Sequence, residues 1–206
     1  MLIQGQVVNA IPGARASGNP NAMQLALGEL GVSEVLPRYA ALAASGQLFT
    51  VACLAQATSL AGVALVGLQL WNRTSNKNLV LLKAAGAIVA TSAANTSLSL
   101  AVGIGQVNAP TGQTAASFIT NNLIGGAAPG ALATAAGTFV NAPSVMHMLI
   151  HNTGAVATTG EDQGFFVDFE GSIIIPPNAY VAIVAGGAAL AAAGSNLNLS
   201  WAELPI

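Results

Sequence analysis

The sequence predicts an all-β protein, an antiparallel sandwich, and three observations predict it. From Gln47 onward, apolar and polar residues alternate with a period of two over short stretches. Clusters of Gly, Pro, Asn and Ser separate these stretches. No helical pattern of about 10–15 residues alternates with them, which argues against a parallel α/β sheet.

The stretch that sets the plan is Gly171 to Val184. Ile173, Ile174 and Ile175 are β-branched and suit a pleated, buried surface. Pro176 and Pro177 remove two backbone donors, so the ladder stops there. Asn178 tolerates turn geometry, and Tyr180 to Val184 resume an apolar strand.

Residues 1–46 are expected to form an N-terminal arm. Ile11 to Asn21 is turn-rich. Leu36 to Gly46 predicts a short helix, with Pro37 at its first position and Gly46 as its stop. Such a helix is too short to hold alone and needs a surface to pack on.

Residues 47–206 are expected to form the sandwich. Gln47–Leu54 predicts a strand, 56–62 a loop and Val63–Asn72 a strand ending in Trp71. Asn72 to Asn78 is a polar turn. Asn78–Lys83 predicts a strand with a kink at Gly86 before it resumes. In Ser97–Gln106, Leu98, Leu100, Val102 and Ile104 share one face, and Ser99, Ala101 and Gly103 the other.

Residues 108–137 are rich in Gly, Ala and Thr, with short apolar pieces at Phe118-Ile119 and Leu123-Ile124, and predict a long loop with one short strand or helical turn. Thr138–Asn141 and Val145–His151 predict strands around Pro143. Phe165, Val167 and Phe169 alternate with Phe166, Asp168 and Glu170. Ala185–Ser195 predicts a small-residue loop. In Asn196–Leu204, Leu197, Leu199 and Trp201 face in. About eight strands with long crossing connections favour a jelly roll.

Composition narrows the function. Of 206 residues, 53% are hydrophobic and only 6% charged, with a net charge of -2. No Lys or Arg follows Lys83, which argues against nucleic-acid binding, because phosphates demand clustered basic residues. So little charge suits either a membrane or permanent assembly, where other subunits cover the surface. The apolar windows Leu54–Trp71, Ala84–Gly105 and Ala179–Gly194 are too interrupted to read as spans. They also lack basic flanks. The N-terminus lacks the pattern of a signal peptide.

Candidate chemistry is sparse. Cys53 is the one cysteine, in an apolar run, and reads as a small buried hydrophobe. His147 and His151, on one strand, would share a face roughly 13 Å apart, too far for one zinc. They read as a polar strand face, or as a symmetry-axis site with one His from each subunit. Glu161, Asp162, Asp168 and Glu170 form the acidic cluster. It reads as a solvated rim, with an ion site or a glycosidase pair as alternatives. Three glycosylation triplets begin at Asn72, Asn95 and Asn198. No catalytic, cofactor or metal constellation is expected.

Two parts of the chain carry a resemblance. One is Gly-Glu-Leu-x-Val-Ser-Glu-x-Leu-x-Arg-Tyr, from Gly28 to Tyr39, followed by Gly46-x-Leu-Phe49. The other is Ile173 to Val181 together with the closing Leu199 to Pro205. These resemble small jelly-roll virion proteins of tailed bacteriophages, of the decoration, cement or head-fibre type. The resemblance implies a non-enzymatic homotrimer on the capsid surface, made in the host cytoplasm and bound to the major capsid protein. Leu25, Leu27, Glu29, Leu30, Glu34, Leu36, Arg38 and Tyr39 would then be the anchoring residues. A receptor- or carbohydrate-binding tail module on the same fold is the alternative. The arm could instead fold back on its own sandwich or on a neighbouring subunit. Neutral strand faces and the loops near 125–137 and 185–194 are expected to pack between subunits.

Overall fold

The structure is a computed structural model. It describes residues 22–24, 30–32, 39–89, 96–152, 163–186 and 189–206. The chain divides into two compact units, Met1–Ala41 and Leu42–Ile206. In the first, β1 (Ala22–Gln24) and β2 (Leu30–Val32) pair antiparallel, with Met23 opposite Gly31. Of the expected helix, Ala40–Ala44 (α1) is helical. It stops at Gly46, whose φ of 68° is the left-handed conformation that glycine adopts at helix ends.

The second unit is the sandwich. Its eight principal strands are β3 (Leu48–Ala61), β4 (Ala64–Trp71), β5 (Lys77–Ile88), β6 (Thr96–Gly103), β10 (Ser144–Asn152), β11 (Gln163–Ile175), β12 (Tyr180–Ala185) and β13 (Leu190–Pro205). They pair in nested fashion: β3 with β13, β4 with β12, β5 with β11, β6 with β10. A long hairpin folded over on itself gives this order. The result is one continuous antiparallel sheet whose two halves, β3-β13-β5-β11 and β4-β12-β6-β10, are joined where β3 pairs with β4, the jelly-roll arrangement of two Greek keys. Three short strands widen them. β8 (Phe118–Asn121) joins β3, β9 (Leu132–Thr138) joins β4, and β7 (Thr111–Ala115) joins β9.

The core lies between the two halves. One half contributes Phe49, Val51 and Cys53 from β3, Leu197, Leu199 and Trp201 from β13, and Leu79 and Leu81 from β5. Leu68 and Leu70 of β4, Val181 and Ile183 of β12, and Leu98 and Leu100 of β6 face them. Burying each such side chain stabilises the fold by about 1.5–3 kcal/mol. A second cluster covers the other face of β4 and β12, with Trp71, Tyr180, Ala182 and Phe139 at its centre. β12 is therefore buried on both faces, which explains why Tyr180 to Ala185 reads as a continuous apolar run. Gly103 has no side chain because the Tyr180 ring occupies that space. Burial pushes the Tyr180 phenol up to about 12, and its hydroxyl donates to the Asn141 carbonyl at 2.6 Å.

Two buried polar groups tie the strand ends together. Asn72 is fully buried, and its side-chain amide donates to the carbonyls of Lys77 and Ile175. Its Oδ1 accepts from the backbone and hydroxyl of Thr74. Its backbone exchanges bonds with Asn178 and Ala179. Glu203, at 2% exposure, accepts from Lys77 Nζ and from the backbone of Ala131, both at 2.9 Å. Burial alone would raise the Glu203 carboxyl. Hydrogen bonds from Lys77, Ala131 and Gly130, with the Lys77 charge, bring it below its ordinary value.

The organising turn forms where expected. β11 ends at Ile175, Asn178 takes φ 63°, and Ala179 N donates to the Pro176 carbonyl. The flanking strands belong to different halves of the sheet, so the turn is a crossover between layers.

Several expected boundaries are corrected. The loop expected over 56–62 is strand to Ala61. Residues 108–137, expected as a loop, hold β7, β8 and most of β9. β9 does alternate, with Ala133 and Ala135 turned to the core and Ala131 buried just before it, but alanine carries too little hydrophobic contrast to mark a strand. These alanines are buried within the chain itself. Of Thr138–Asn141 only Thr138 is strand. β13 begins at Leu190, inside the expected loop. Strand β5 runs unbroken through Gly86, where the Asn196 carbonyl and the Phe165 ring crowd the backbone. Ile104, expected inside, is 73% exposed because β6 ends at Gly103.

Candidate functional site

Two surfaces of the sandwich are candidates: a cleft between the edge strands β10 and β11, and the outer face of the β11-β5-β13-β3-β8 sheet. The cleft has a volume of about 630 Å3 and is lined by His147, Met148, Phe169, Asp168 and Glu170 among others. Both edges are bulged. β10 shifts register twice, between Val145 and His147 and between Met148 and Ile150. β11 shifts between Asp168 and Ile173, where Glu170 and Gly171 take positive φ. Bulges of this kind interrupt the row of unpaired donors and acceptors that an edge strand offers to another strand.

The bulges also change where the sequence places its candidate residues. His147 sits opposite Leu100 on the core side, and its ring centroid lies 5.9 Å from that of Phe169. Position 151 lies opposite Ser97, on the other side of the sheet. The expectation that the two histidines share a strand face is therefore corrected, since a bulge between them breaks the period of two. Asp168 and Glu170 are both exposed, as expected for a rim. The Asp168 carboxylate accepts from Glu170 N at 2.9 Å and so braces the bulge. Glu161 and Asp162 lie outside the described residues. Among the described residues no group of three or more His, Cys, Asp or Glu is placed to hold a metal.

The outer sheet face is assembled from five strands in register. One row crosses it as Phe118, Ala52, Asn198, Ala85 and Phe166. The next row is Thr120, Thr50, Ser200, Lys83 and Asp168. The residues between them, such as Val51, Cys53 and Leu199, point into the core. The Thr50 and Ser200 hydroxyls lie 3.1 Å apart and Thr50 donates to Asn122 at 2.9 Å. Lys83 Nζ stands over the Phe166 ring at 5.6 Å. Phe118 and Phe166 are 57% and 66% exposed, at opposite margins of the face. The alternation in Phe165–Glu170 already put Phe166 outward. The exposure of Phe118 had no such signal, because β8 is only four residues long.

The remaining candidates resolve simply. Cys53 is buried in the core, and burial pushes its thiol up, against hydrogen bonding by Ser117. Asn72 of the first glycosylation triplet is fully buried in the fold and Asn198 of the third lies within β13, while Asn95 is outside the described residues. Among the proposed anchoring residues, Leu25, Leu27, Glu29, Glu34, Leu36 and Arg38 lie outside the described residues. Leu30 falls in β2, and Tyr39 is half-buried just before α1. No helix among the described residues is long and apolar enough to cross a membrane.

Compared with protein-family models, with curated proteins and with solved structures, the chain matches none.

Proposed function

We propose that this chain is a structural virion protein, a capsid decoration or cement protein that binds the outer surface of a tailed-phage head as a homotrimer and stabilises it. Its partners are then further copies of itself and the major capsid protein. The observation that carries this is the surface. A jelly roll with 6% charged residues leaves large apolar side chains outward on both halves, including Phe118, Phe166, Ile174 and Met148. A free monomer keeps its surface charged. A permanently assembled shell component does not need to, because neighbours cover it. The resemblance of Gly28–Tyr39 and Ile173–Val181 to phage decoration proteins supports the same role.

The arm is the proposed anchor. Residues 1–46 combine Pro12, Gly13, Gly18 and Pro20 with Leu25, Leu27, Leu30, Leu36, Tyr39 and Leu42. A turn-rich segment that is also apolar gains most by ordering on a partner. Glu29, Glu34 and Arg38 add few charges, so attachment should respond weakly to salt. The test mixes the full chain, and a chain lacking residues 1–46, with undecorated heads and measures co-sedimentation. The full chain should bind and the truncated chain should remain trimeric but stay in solution. Failure of the full chain to bind overturns the function. Equal binding of the truncated chain removes the arm as anchor. Loss of the trimer on truncation assigns the arm to a neighbouring subunit instead.

One observation favours a second role, receptor or carbohydrate binding. Phe118 and Phe166 flank the row of Ala52, Asn198 and Ala85, beside the hydroxyls of Thr50 and Ser200, and exposed rings of this kind can stack on sugars. That role requires the face to be open in the assembled protein.

A further inference from the structure

We infer that the end of the sandwich where the arm joins is a second contact with the head, an apolar docking face for a neutral protein surface. The inference rests on the reading of the chain as a head-binding protein, and it says which end of the sandwich meets the shell.

Topology gathers the face. Gly103, Tyr180, Trp71 and Leu132 lie abreast at one end of strands β6, β12, β4 and β9. Asn121, Phe49 and Trp201 lie abreast at the end of β8, β3 and β13. Glu203 joins the two rows, through its carboxylate to Ala131 N and through its backbone N to the Gln47 carbonyl. Four segments leave the strands here. Ile104 and Val107 follow β6, Ile124 follows β8, Val140 precedes β10 and Ile206 follows β13. These five aliphatic side chains are between 64% and 91% exposed.

Hydrogen bonds hold the loops that carry them. The Asn121 amide donates to the Gly46 and Ala127 carbonyls, and its oxygen accepts from Leu123 N. Gly126 N closes a turn onto the Leu123 carbonyl with Gly125 at φ 84°, and Ile124 stands at its tip. Trp71 Nε1 donates to the Gln106 carbonyl, and the Gln106 side chain bridges the Asn108 carbonyl and Val140 N. Asn141 donates to the Ile104 carbonyl. Aliphatic groups on loops braced in this way lose little further freedom on binding.

Chemistry selects a neutral protein surface. The loops after β6 and β8 and before β10 lie between Lys83 and Glu161, where the chain has no Asp, Glu, Lys or Arg. A bilayer would be met by aromatic rings and basic residues beside the aliphatic ones. Here Trp71 and Tyr180 are buried, Lys77 pairs with Glu203, and Arg73 donates to the Gly130 carbonyl.

Position selects the head. The chain enters the sandwich at Gly46 and Gln47, inside this face. Tyr39, the last of the proposed anchoring residues, precedes Gln47 by at most about 29 Å of extended chain. An arm anchored on the shell therefore keeps this end close to it. The second contact is then effectively intramolecular, so even a small apolar face adds to affinity.

The experiment uses the full-length chain and undecorated heads. Ile124→Asp and Ile104→Asp each put a charge on the face at an exposed position. Leu54→Asp, at an exposed position further along β3, is the control for added charge. Co-sedimentation should show the first two binding about tenfold or more weakly than the unmodified chain, and the control unchanged. Light scattering should show the trimer retained in all three. Hydroxyl-radical footprinting gives a readout that needs no substitution. Ile104, Ile124 and Val140 should become several-fold less reactive when heads are added, and Leu54 should not.

Failure of the unmodified chain to bind overturns the head-binding reading and this face together. Binding by both variants as tight as that of the unmodified chain, or an absence of head-dependent protection, overturns the face and leaves the arm as the anchor. An equal loss in Leu54→Asp shows that added charge anywhere weakens binding, and also overturns it. Dissociation of the trimer in the two variants, or protection already complete without heads, assigns the face to a neighbouring copy and overturns the head as its occupant.

Discussion

Glu203 shows how one residue holds distant parts of the chain. Its carboxylate is almost wholly buried, yet it bonds Lys77 at the start of β5 and the backbone of Ala131 beside β9. Hydrogen bonds to a charged group contribute about 1.5–3 kcal/mol, and the exposed side of Lys77 reduces the ionic share. Glu203→Ala should therefore destabilise the protein by about 2 kcal/mol in urea denaturation at neutral pH, while Lys77→Met should cost less. The pH dependence has a definite sign. The native carboxyl is held below its ordinary value, so its contribution is present above the unfolded-state value and is lost as pH falls through the native one. The difference between wild type and Glu203→Gln should shrink in that acid range. A constant difference down to the lowest pH would contradict it. Trp201 is the opposite case: a large core side chain whose indole N–H has no hydrogen-bond partner among the described residues. The Phe49 ring beside it, 5.7 Å away, offers only packing.

At the scale of elements, the bends matter as much as the strands. β4 passes from pairing with β3 to pairing with β12 around Gly67. Gly67 has φ 141°, which L side chains rarely adopt, and a Cβ there would strike the Ile183 carbonyl of β12. Gly67→Ala should cost about 3 kcal/mol, since it adds backbone strain to a steric clash that neither strand can relieve. Thermal denaturation checks this, and a loss below about 1 kcal/mol would show that the bend is not required. The bulges in β10 and β11 are elements of the same kind. They blunt two sheet edges and turn His147 toward the cleft, while the outer sheet face stays in regular register.

At the scale of the whole molecule, the nested pairing makes the last strand central. β13 lies between β3 and β5 and supplies Leu197, Leu199 and Trp201 to the core. A chain ending at Ala189 leaves β3 and β5 without their shared partner and opens the sandwich. It should show no cooperative unfolding transition by circular dichroism, whereas the full chain should show one. A cooperative transition in the shortened chain would mean that the remaining strands close without β13. The pairing of the first principal strand with the last also requires long loops to close early, so folding should be slow for a domain of this size.

The sequence by itself determined the class of fold, the crossover turn at Pro176–Asn178 and most of the core. Period-two alternation of large side chains is a local signal, and Leu98, Leu100, Leu197, Leu199 and Trp201 carry it with enough contrast to read their faces directly. The near-absence of charge is likewise written in composition. Only the tertiary structure decided that Ala133 and Ala135 belong to a strand, because alanine is buried by its neighbours rather than by its own hydrophobicity. It alone placed the bulges that separate His147 from position 151, since inserting a residue into a ladder depends on the partner strand. It alone assembled the row of Ala52, Asn198 and Ala85 between Phe118 and Phe166. Those five residues come from five strands spread from 52 to 198, and register across strands, unlike alternation along one, is set by long-range pairing.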